Sequence, residues 1–358
     1  MAESATDDTR PLFLQLFPAA DDGSLGRDGR RGGQGRHGGF AVLVSVFPAD
    51  RPALVPAFPC GTHVPSIHEE RRATVKIFGV VVLYYPNIYI VMRNIEAYIS
   101  HIDQLLVWDN TPAQDADPDL RRQLEGRFGG KIIFVTTGKN EGLSMVLNEG
   151  IRMAKERGCS HLLTMDQDSY WENFGFYVGA IEKLDDAVFC PNYRCPGYDM
   201  DFCTTDTRID YNMQSGSIYP LRVFDEIGIF KEHYFIDAID TEFCIRATRH
   251  GIPIIRVGNA LLQHNLGNAI RRLGIRSSNY TPFRTYYIVR NHVAMWREYG
   301  RQMPYPLRKT TRTHVVTRAV KILLLEREKW PKLKAIVRGI AQGLTDKRLV
   351  EKPGKVYV

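Results

Sequence analysis

Asp166-Gln-Asp168 is where residue type and address first point together to chemistry. The pair follows His161–Met165 (HLLTM), an apolar run of strand length. Both carboxylates are therefore fixed where a buried strand ends. Two carboxylates held this way make a hard oxygen site for Mg2+ or Mn2+, ions usually bound by one or two carboxylates plus phosphate oxygens. The competing structural reading is a turn in which Ser169 caps a helix from Tyr170. Spacing alone does not discriminate. Asp115-Ala-Asp117, Asp117-Pro-Asp119 and Asp199-Met-Asp201 repeat it without a preceding strand, and they read as solvated loop.

A second acidic group lies in Phe235-Ile-Asp237-Ala-Ile-Asp240-Thr-Glu242. Asp237 and Asp240 fall at the start of a helical period, where the helix dipole favours anions. Glu242 and Arg246 are four apart and suit an ordinary ion pair. Capping explains one acid. Two, directly after Tyr234-Phe235, read as a site, because a carboxylate within reach of a hydroxyl can act as a general base. His264 follows the strand-like Ile254–Leu262; a lone histidine there is more often structural than a ligand. Arg284-Thr-Tyr-Tyr-Ile-Val-Arg290-Asn291 alternates bases with aromatics, and guanidinium forks suit phosphate oxygens. Cys190, Cys195 and Cys203 lack C-x-x-C spacing and read as reduced thiols of a cytoplasmic protein.

The elements that must hold these groups are legible as alternation. Lys76–Tyr85, Gln104–Trp108, Lys131–Val135 and His161–Met165 are short apolar runs of strand character. Asn87–Ser100, Asp117–Phe128 and Asn140–Gly158 carry helical periods between them. Strand–helix alternation predicts an α/β chain with a mostly parallel sheet covered by helices on both faces. Such sheets bind ligands at the carboxyl ends of their strands, and two of these strands end in Asp109 and Asp166.

The flanks differ from this core. Eight glycines and four arginines fall between Asp21 and Phe40. Residues 1–72 read as a disordered leader without a part in function, since such a stretch buries too little apolar area. Its acidic start does not fit a signal peptide. Gly33-Gln-Gly35-Arg-His-Gly38 follows no strand, so it is no dinucleotide loop. The 358 residues carry a net charge of +7, and Arg301–Arg338 alone holds eleven Lys/Arg against two Glu. The chain thus divides into the leader, a catalytic domain over 73–300 and a basic helical extension over 301–358. In the extension, His314–Trp330 is expected to be one helix with Val315, Val316, Ala319, Ile322 and Leu323 on one face. Lys329, Lys332, Lys334 and Arg338 follow as candidates for contact with an anionic membrane. No run of ~18 apolar residues long enough to span a bilayer is present. A nucleic-acid-binding reading, prompted by the pI of about 9.0, requires bases and aromatics interleaved on a sheet face. The apolar strands exclude it.

The order of motifs resembles glycosyltransferase family 2, with the GT-A fold. It runs from Tyr84-Tyr85-Pro86 and Asp109-Asn110 through Asn140-Glu-Gly142 and Leu147-Asn148-Glu-Gly150 to Met165-Asp166-Gln-Asp168-Ser169. Gln214-Ser215-Gly216-Ser217, Asp237 to Arg246, His264-Asn-Leu-Gly267 and Arg284 to Asn291 complete it. The Met-Asp-Gln-Asp-Ser form and the Ile-Asp-x-x-Asp-x-Glu-x-Cys-x-Arg block look like its rhamnosyltransferase branch. The resemblance implies an inverting transfer of L-rhamnose from dTDP-L-rhamnose to a cell-surface polysaccharide or lipid-linked glycan, at the inner face of the plasma membrane. It implies that Tyr84, Asp109, Asn110, Asn140, Asn148, Asp166, Arg284 and Arg290 bind the nucleotide sugar. Asp166, Asp168 and His264 would hold the metal. Asp240 would be the base, with Asp237 as the alternative. A metal-dependent nucleotidyltransferase or phosphohydrolase built on the same D-x-D is the competing reading.

Overall fold

The apolar runs of the N-terminal half become the centre of a single sheet. The computed structural model describes residues 75–184, 187–196, 200–265, 270–272 and 275–350. The leader reading of residues 1–72 lies outside them. In chain order the first half gives β1 (Ile77–Leu83), α1 (Ile88–Glu96), β2 (Gln104–Asp109), α2 (Leu120–Phe128), β3 (Ile132–Thr136), α3 (Leu143–Glu156) and β4 (His161–Asp166). Then come β5 (Tyr170–Trp171), α4 (Phe174–Ile181), β6 (Val188–Arg194), β7 (Thr207–Ile209), β8 (Ser217–Pro220), α5 (Leu221–Ile227), α6 (Ile239–Arg249) and β9 (Ile254–Gln263). The sheet order is β3-β2-β1-β4-β8-β6-β9-β5, with β7 also on β9.

The four strands expected from alternation run parallel as neighbours. Beyond β4 the sheet is mixed: β8 is antiparallel to β4 and β6, while β6 and β9 are parallel. Side chains of β1 alternate between two cores. Phe78 and Val80 pack with α3, α5 and α6, while Ile77 and Val81 pack with α1, α2 and α4. That period of two is what a strand buried on both faces requires. Each large apolar side chain so buried contributes ~1.5–3 kcal/mol. The parallel register sets Val82 opposite both Trp108 and Asp166, so the ends of β2 and β4 flank the end of β1.

Tyr170 does not start a helix. Tyr170 and Trp171 pair with Gln263 and Leu262 of β9. Ser169 is therefore no helix cap, and the strand pairing holds the D-x-D turn beside the segment that leads to His264.

The C-terminal part continues with the hairpin β10 (Ile270–Arg272) and β11 (Ile275–Ser277), then α7 (Pro282–Tyr299), α8 (Tyr305–Arg312), a π-helical turn Thr313–Thr317, α9 (Arg318–Leu325) and α10 (Lys329–Thr345). α10 packs closely on α7. A Cβ on Gly343 would lie 2.7 Å from the Arg290 carbonyl oxygen, so only glycine permits this approach. No helix among the described residues is long and apolar enough to cross a membrane.

Two expectations for this region fail. The helix through His314 stops at Leu325, and Glu328 takes a left-handed backbone (φ 52°) before α10 begins. The expected apolar face also splits. Val315, Ala319 and Ile322 pack with Val289 and Val293 of α7, whereas Val316 and Leu323 are exposed. A buried ion pair spans the break. Lys332 does not face solvent: its Nζ donates to Glu326 Oε2 at 2.9 Å and Asn279 Oδ1 at 2.7 Å, with both charged groups buried. The Ser277 hydroxyl donates to the other Glu326 oxygen. Folding the chain back at the break completes this ion pair. Removing one partner of such a pair leaves the other charge buried and alone. Lys332→Ala is therefore expected to lower unfolding free energy by about 3–5 kcal/mol in urea titrations. Lys334→Ala, on the exposed face, should change it by less than ~0.5 kcal/mol.

Candidate active site

The carboxyl ends of β1, β2 and β4 gather the residues singled out from sequence. Tyr84 follows β1 and is about half exposed. The middle residue of the D-x-D, Gln167, clamps it. Gln167 Oε1 accepts from Tyr84 N at 2.9 Å and Gln167 Nε2 donates to Tyr84 O at 3.0 Å. Asp109 is buried at the end of β2, where its Oδ1 accepts from Thr111 N at 2.9 Å. Asn110 reaches across to the loop before α3. Its Oδ1 accepts from Glu141 N at 3.2 Å and its Nδ2 donates to Gly142 O at 3.3 Å. Asn140 closes the same loop by accepting from Gly142 N at 2.9 Å. Gly142 has φ 84°, and a Cβ there would lie 2.5 Å from the Phe235 ring. That contact joins this loop to the second acidic segment.

Asp166, Asp168 and His264 each offer a ligand atom, all within 4.8 Å of one another. A relay links Asp166 to His264. Asp166 N donates to Ser215 Oγ (3.1 Å), Ser215 Oγ donates to Ser169 Oγ (2.7 Å), and Ser169 Oγ meets His264 Nδ1 (2.8 Å). In the tautomer whose Nδ1–H donates to Ser169, Nε2 keeps the lone pair that a metal ligand needs. Two carboxylate oxygens and an imidazole nitrogen fit Mn2+ or Mg2+ with positions left for phosphate oxygens. Burial pushes the Asp166 carboxyl up to about 6; His264 opposes this and Asp168 reinforces it. Burial likewise raises Asp168, again opposed by His264.

The second acidic segment is a strained turn. Phe235, Asp237 and Ala238 all have left-handed backbones, with φ of 62°, 64° and 62°. Asn291 of α7 holds it. Its Nδ2 donates to the carbonyls of Tyr234 (2.9 Å), Ile236 (2.8 Å) and Asp237 (2.8 Å). Phe235 O in turn accepts from Leu143 N at 2.6 Å, at the start of α3. α6 opens directly after the turn and carries Asp240 in its first turn. Asp240 Oδ1 accepts from Thr241 N (2.7 Å) and Oδ2 from Gln214 N (3.2 Å). Burial raises the Asp240 carboxyl, and its two backbone hydrogen bonds offset part of the rise. Asp237 differs. Arg284 forks onto it, with Nε 3.1 Å from each oxygen and Nη2 2.9 Å from Oδ1.

Two residues expected at the nucleotide sugar stand elsewhere. Arg290 is buried and spends its guanidinium on the His233 and Tyr234 carbonyls and on Asn291. It supports the turn and does not face a phosphate. Asn148 is buried against the loop after α5, donating to Phe230 O (2.9 Å) and accepting from Phe230 N (3.0 Å). Glu242 and Arg246 do pair at i,i+4, with Nε 2.9 Å from Oε1, but the pair is buried. Arg246 also donates to the carbonyls of Ile227 (2.6 Å) and Ile229 (2.9 Å), closing the end of α5. Ser215 and Asn291 are supporting residues quoted inside sequence motifs without a role, and Ser169, weighed there only as a helix cap, joins Ser215 in the relay. Gln214 joins them: its buried Nε2 has no hydrogen-bond partner among the described residues.

Comparison with known proteins follows this geometry. Residues 85–249 match the family model described as Glycosyl transferase family 2. The chain is 25% identical over 250 residues to the dTDP-rhamnosyl transferase RfbF of Shigella flexneri, covering 62% of this chain and 80% of that protein. Among solved structures it resembles TarS of S. aureus in outline, with TM-score 0.45, 14% identity, and 76% of this chain matched to 44% of that one. It likewise resembles GalNAc-T7 with UDP, GalNAc and Mn2+, with TM-score 0.47, 12% identity, and 71% of this chain matched to 58% of that one. The chain thus spans about half the length of these two structures. The region of the match runs from the end of β1 to the end of α6 and contains Asp109, Asp166, Asp168, Asp237 and Asp240. The likeness to glycosyl transferase family 2 thus lies in residues 85–249, and the chain is similar to a dTDP-rhamnosyl transferase.

Proposed function

We propose that this protein is an inverting, metal-dependent glycosyltransferase that moves L-rhamnose from dTDP-L-rhamnose to a polysaccharide or lipid-linked glycan. The observation that carries the reading is the pairing of two sites across one edge: an Asp166–Asp168–His264 cluster and a part-buried Asp240 at the start of α6, held by backbone N–H groups. The 25%-identical relative named as a dTDP-rhamnosyl transferase supports the choice of donor.

Asp166, Asp168 and His264 would hold the divalent ion. When bound, it would neutralise charge on the diphosphate as that group leaves. The remaining work falls to the chain. Asp109, Asn110 and Asn140 line the end of β2 as the place for the base and ribose. Asp240 accepts the proton of the acceptor hydroxyl as that oxygen forms its bond to the anomeric carbon; the bond from that carbon to the diphosphate oxygen breaks, and the nucleoside diphosphate departs with the electron pair. Asp237 is the weaker choice of base because Arg284 occupies both its oxygens. Arg284, half exposed beside Asp237, retains donors for a phosphate.

Two outcomes test this reading. Asp168→Ala should abolish Mn2+-dependent binding of dTDP in calorimetry while leaving the melting temperature close to wild type, because the residue lies outside both cores. Binding that survives excess EDTA or this substitution would remove the metal from the account. Asp240→Asn keeps the shape but cannot take the proton, so turnover should fall by at least ~10²-fold with donor affinity nearly unchanged. The raised Asp240 carboxyl also sets a pH dependence. As pH falls through its pKa the base becomes protonated, so the acid limb of kcat should lie above the ordinary aspartate range. An active Asp240→Asn beside an inactive Asp237→Asn would exchange the two roles.

A further inference from the structure

α9 and α10 bury one side against α7 and leave the opposite side uncovered. On α9 and the turn before it, Val316, Val320, Leu323 and Leu324 are at least half exposed. Their spacing of four, three and one places them on one helical face, away from the part-buried Ala319 and the buried Ile322. On α10, Trp330, Val337 and Leu344 repeat at seven-residue intervals and are 76%, 68% and 57% exposed. The buried Ala335, Ile336 and Gly339 lie on the other side of that helix. Single exposed apolar residues are ordinary, but two consecutive helices each bearing an apolar stripe are not.

The charges around these stripes are predominantly basic. Arg327, Lys329, Lys334 and Arg338 are exposed, whereas Glu328 is the one exposed acid between Arg318 and Thr345. Glu326 is withdrawn into its buried pair with Lys332 and adds nothing to the surface. We propose that the outer face of α9 and α10 seats on an anionic lipid surface, with the apolar stripes at the acyl boundary and the basic side chains at the headgroups. Burial and electrostatic attraction would then act together. A second copy of the chain is the poorer occupant. A two-fold contact sets the same patch against itself and would bring these basic residues together. The proposal goes beyond the catalytic reading and does not depend on the donor. It adds a consequence to it: α7, on which both helices pack, carries Arg284 and Asn291, so a seated face would hold the active site at a fixed height above the membrane.

The test is sedimentation of the full chain with phosphatidylcholine vesicles, with or without phosphatidylserine. Wild type should bind the anionic vesicles, release them at high salt and ignore the neutral ones. Leu324→Asp with Val337→Asp should weaken binding, and so should Arg327→Gln with Lys329→Gln and Lys334→Gln, each by roughly tenfold or more. All five positions are exposed, so both variants should keep the wild-type melting temperature and wild-type dTDP binding. Equal binding to neutral and anionic vesicles, or binding to neither, would overturn the proposal. So would concentration-dependent dimerisation of wild type that the Asp variant abolishes, which would assign the face to a second copy.

Discussion

One buried amide fixes the geometry on which the site depends. Asn291 shares the two hydrogens of its Nδ2 among the carbonyls of Tyr234, Ile236 and Asp237. Those carbonyls converge because Phe235, Asp237 and Ala238 hold left-handed backbones, at a cost of about 1–3 kcal/mol each. A single hydrogen bond of ~0.5–1.5 kcal/mol does not offset one such residue. The turn stands on the sum of its ties. Arg290 holds the His233 and Tyr234 carbonyls, the Phe235 carbonyl caps the start of α3, and the Phe235 ring stacks on Tyr287 with centroids 5.0 Å apart. Through this turn α7 positions Asp237 and Asp240, and α3 is locked to the same point.

The second constraint is charge. Burial holds Asp166, Asp168 and Asp240 above the usual carboxylate range. His264 and Arg284 both lower Asp166 and Asp168, and Arg284 is already forked onto Asp237. An edge this rich in carboxylates repels a diphosphate unless a cation stands between them. The proposed divalent ion follows from that balance as much as from the D-x-D spacing. Glu242 is the contrast. It is more deeply buried than they are, yet Arg246 and Lys231 oppose the effect of burial and hold its carboxyl below the usual range. It is a structural anion, whereas Asp240 two residues earlier is the proposed base.

Much of this was legible in sequence because it rests on local pattern. Strand–helix alternation gave the four parallel strands, since periods of two and 3.6 can be read within one window. Strand-end addresses placed Asp109 and Asp166 on one edge. The failures share a different cause. Arg290 and Lys332 look like surface bases, but partners 57 and six residues away draw them inside. The same holds for Asn148, whose partner Phe230 lies 82 residues on. Pairing between Tyr170-Trp171 and β9 was invisible for the same reason, because a two-residue strand has no period of its own. The break at Glu326–Glu328 replaced a predicted helix, and α10 restarts with Pro331 in its first turn, where a continuous helix would set the proline ring against the Arg327 carbonyl.

Which bond of the donor breaks separates sugar transfer from phosphoryl chemistry. The direct measurement is to incubate the protein with dTDP-L-rhamnose and Mn2+ and identify the nucleotide released by anion-exchange chromatography and phosphorus NMR. Sugar transfer through Asp240 and the Asp166–Asp168–His264 site predicts dTDP as the nucleotide product, with no pyrophosphate or inorganic phosphate. Release of dTMP with a sugar phosphate, or of inorganic phosphate, would contradict it and assign the same carboxylates to phosphoryl chemistry.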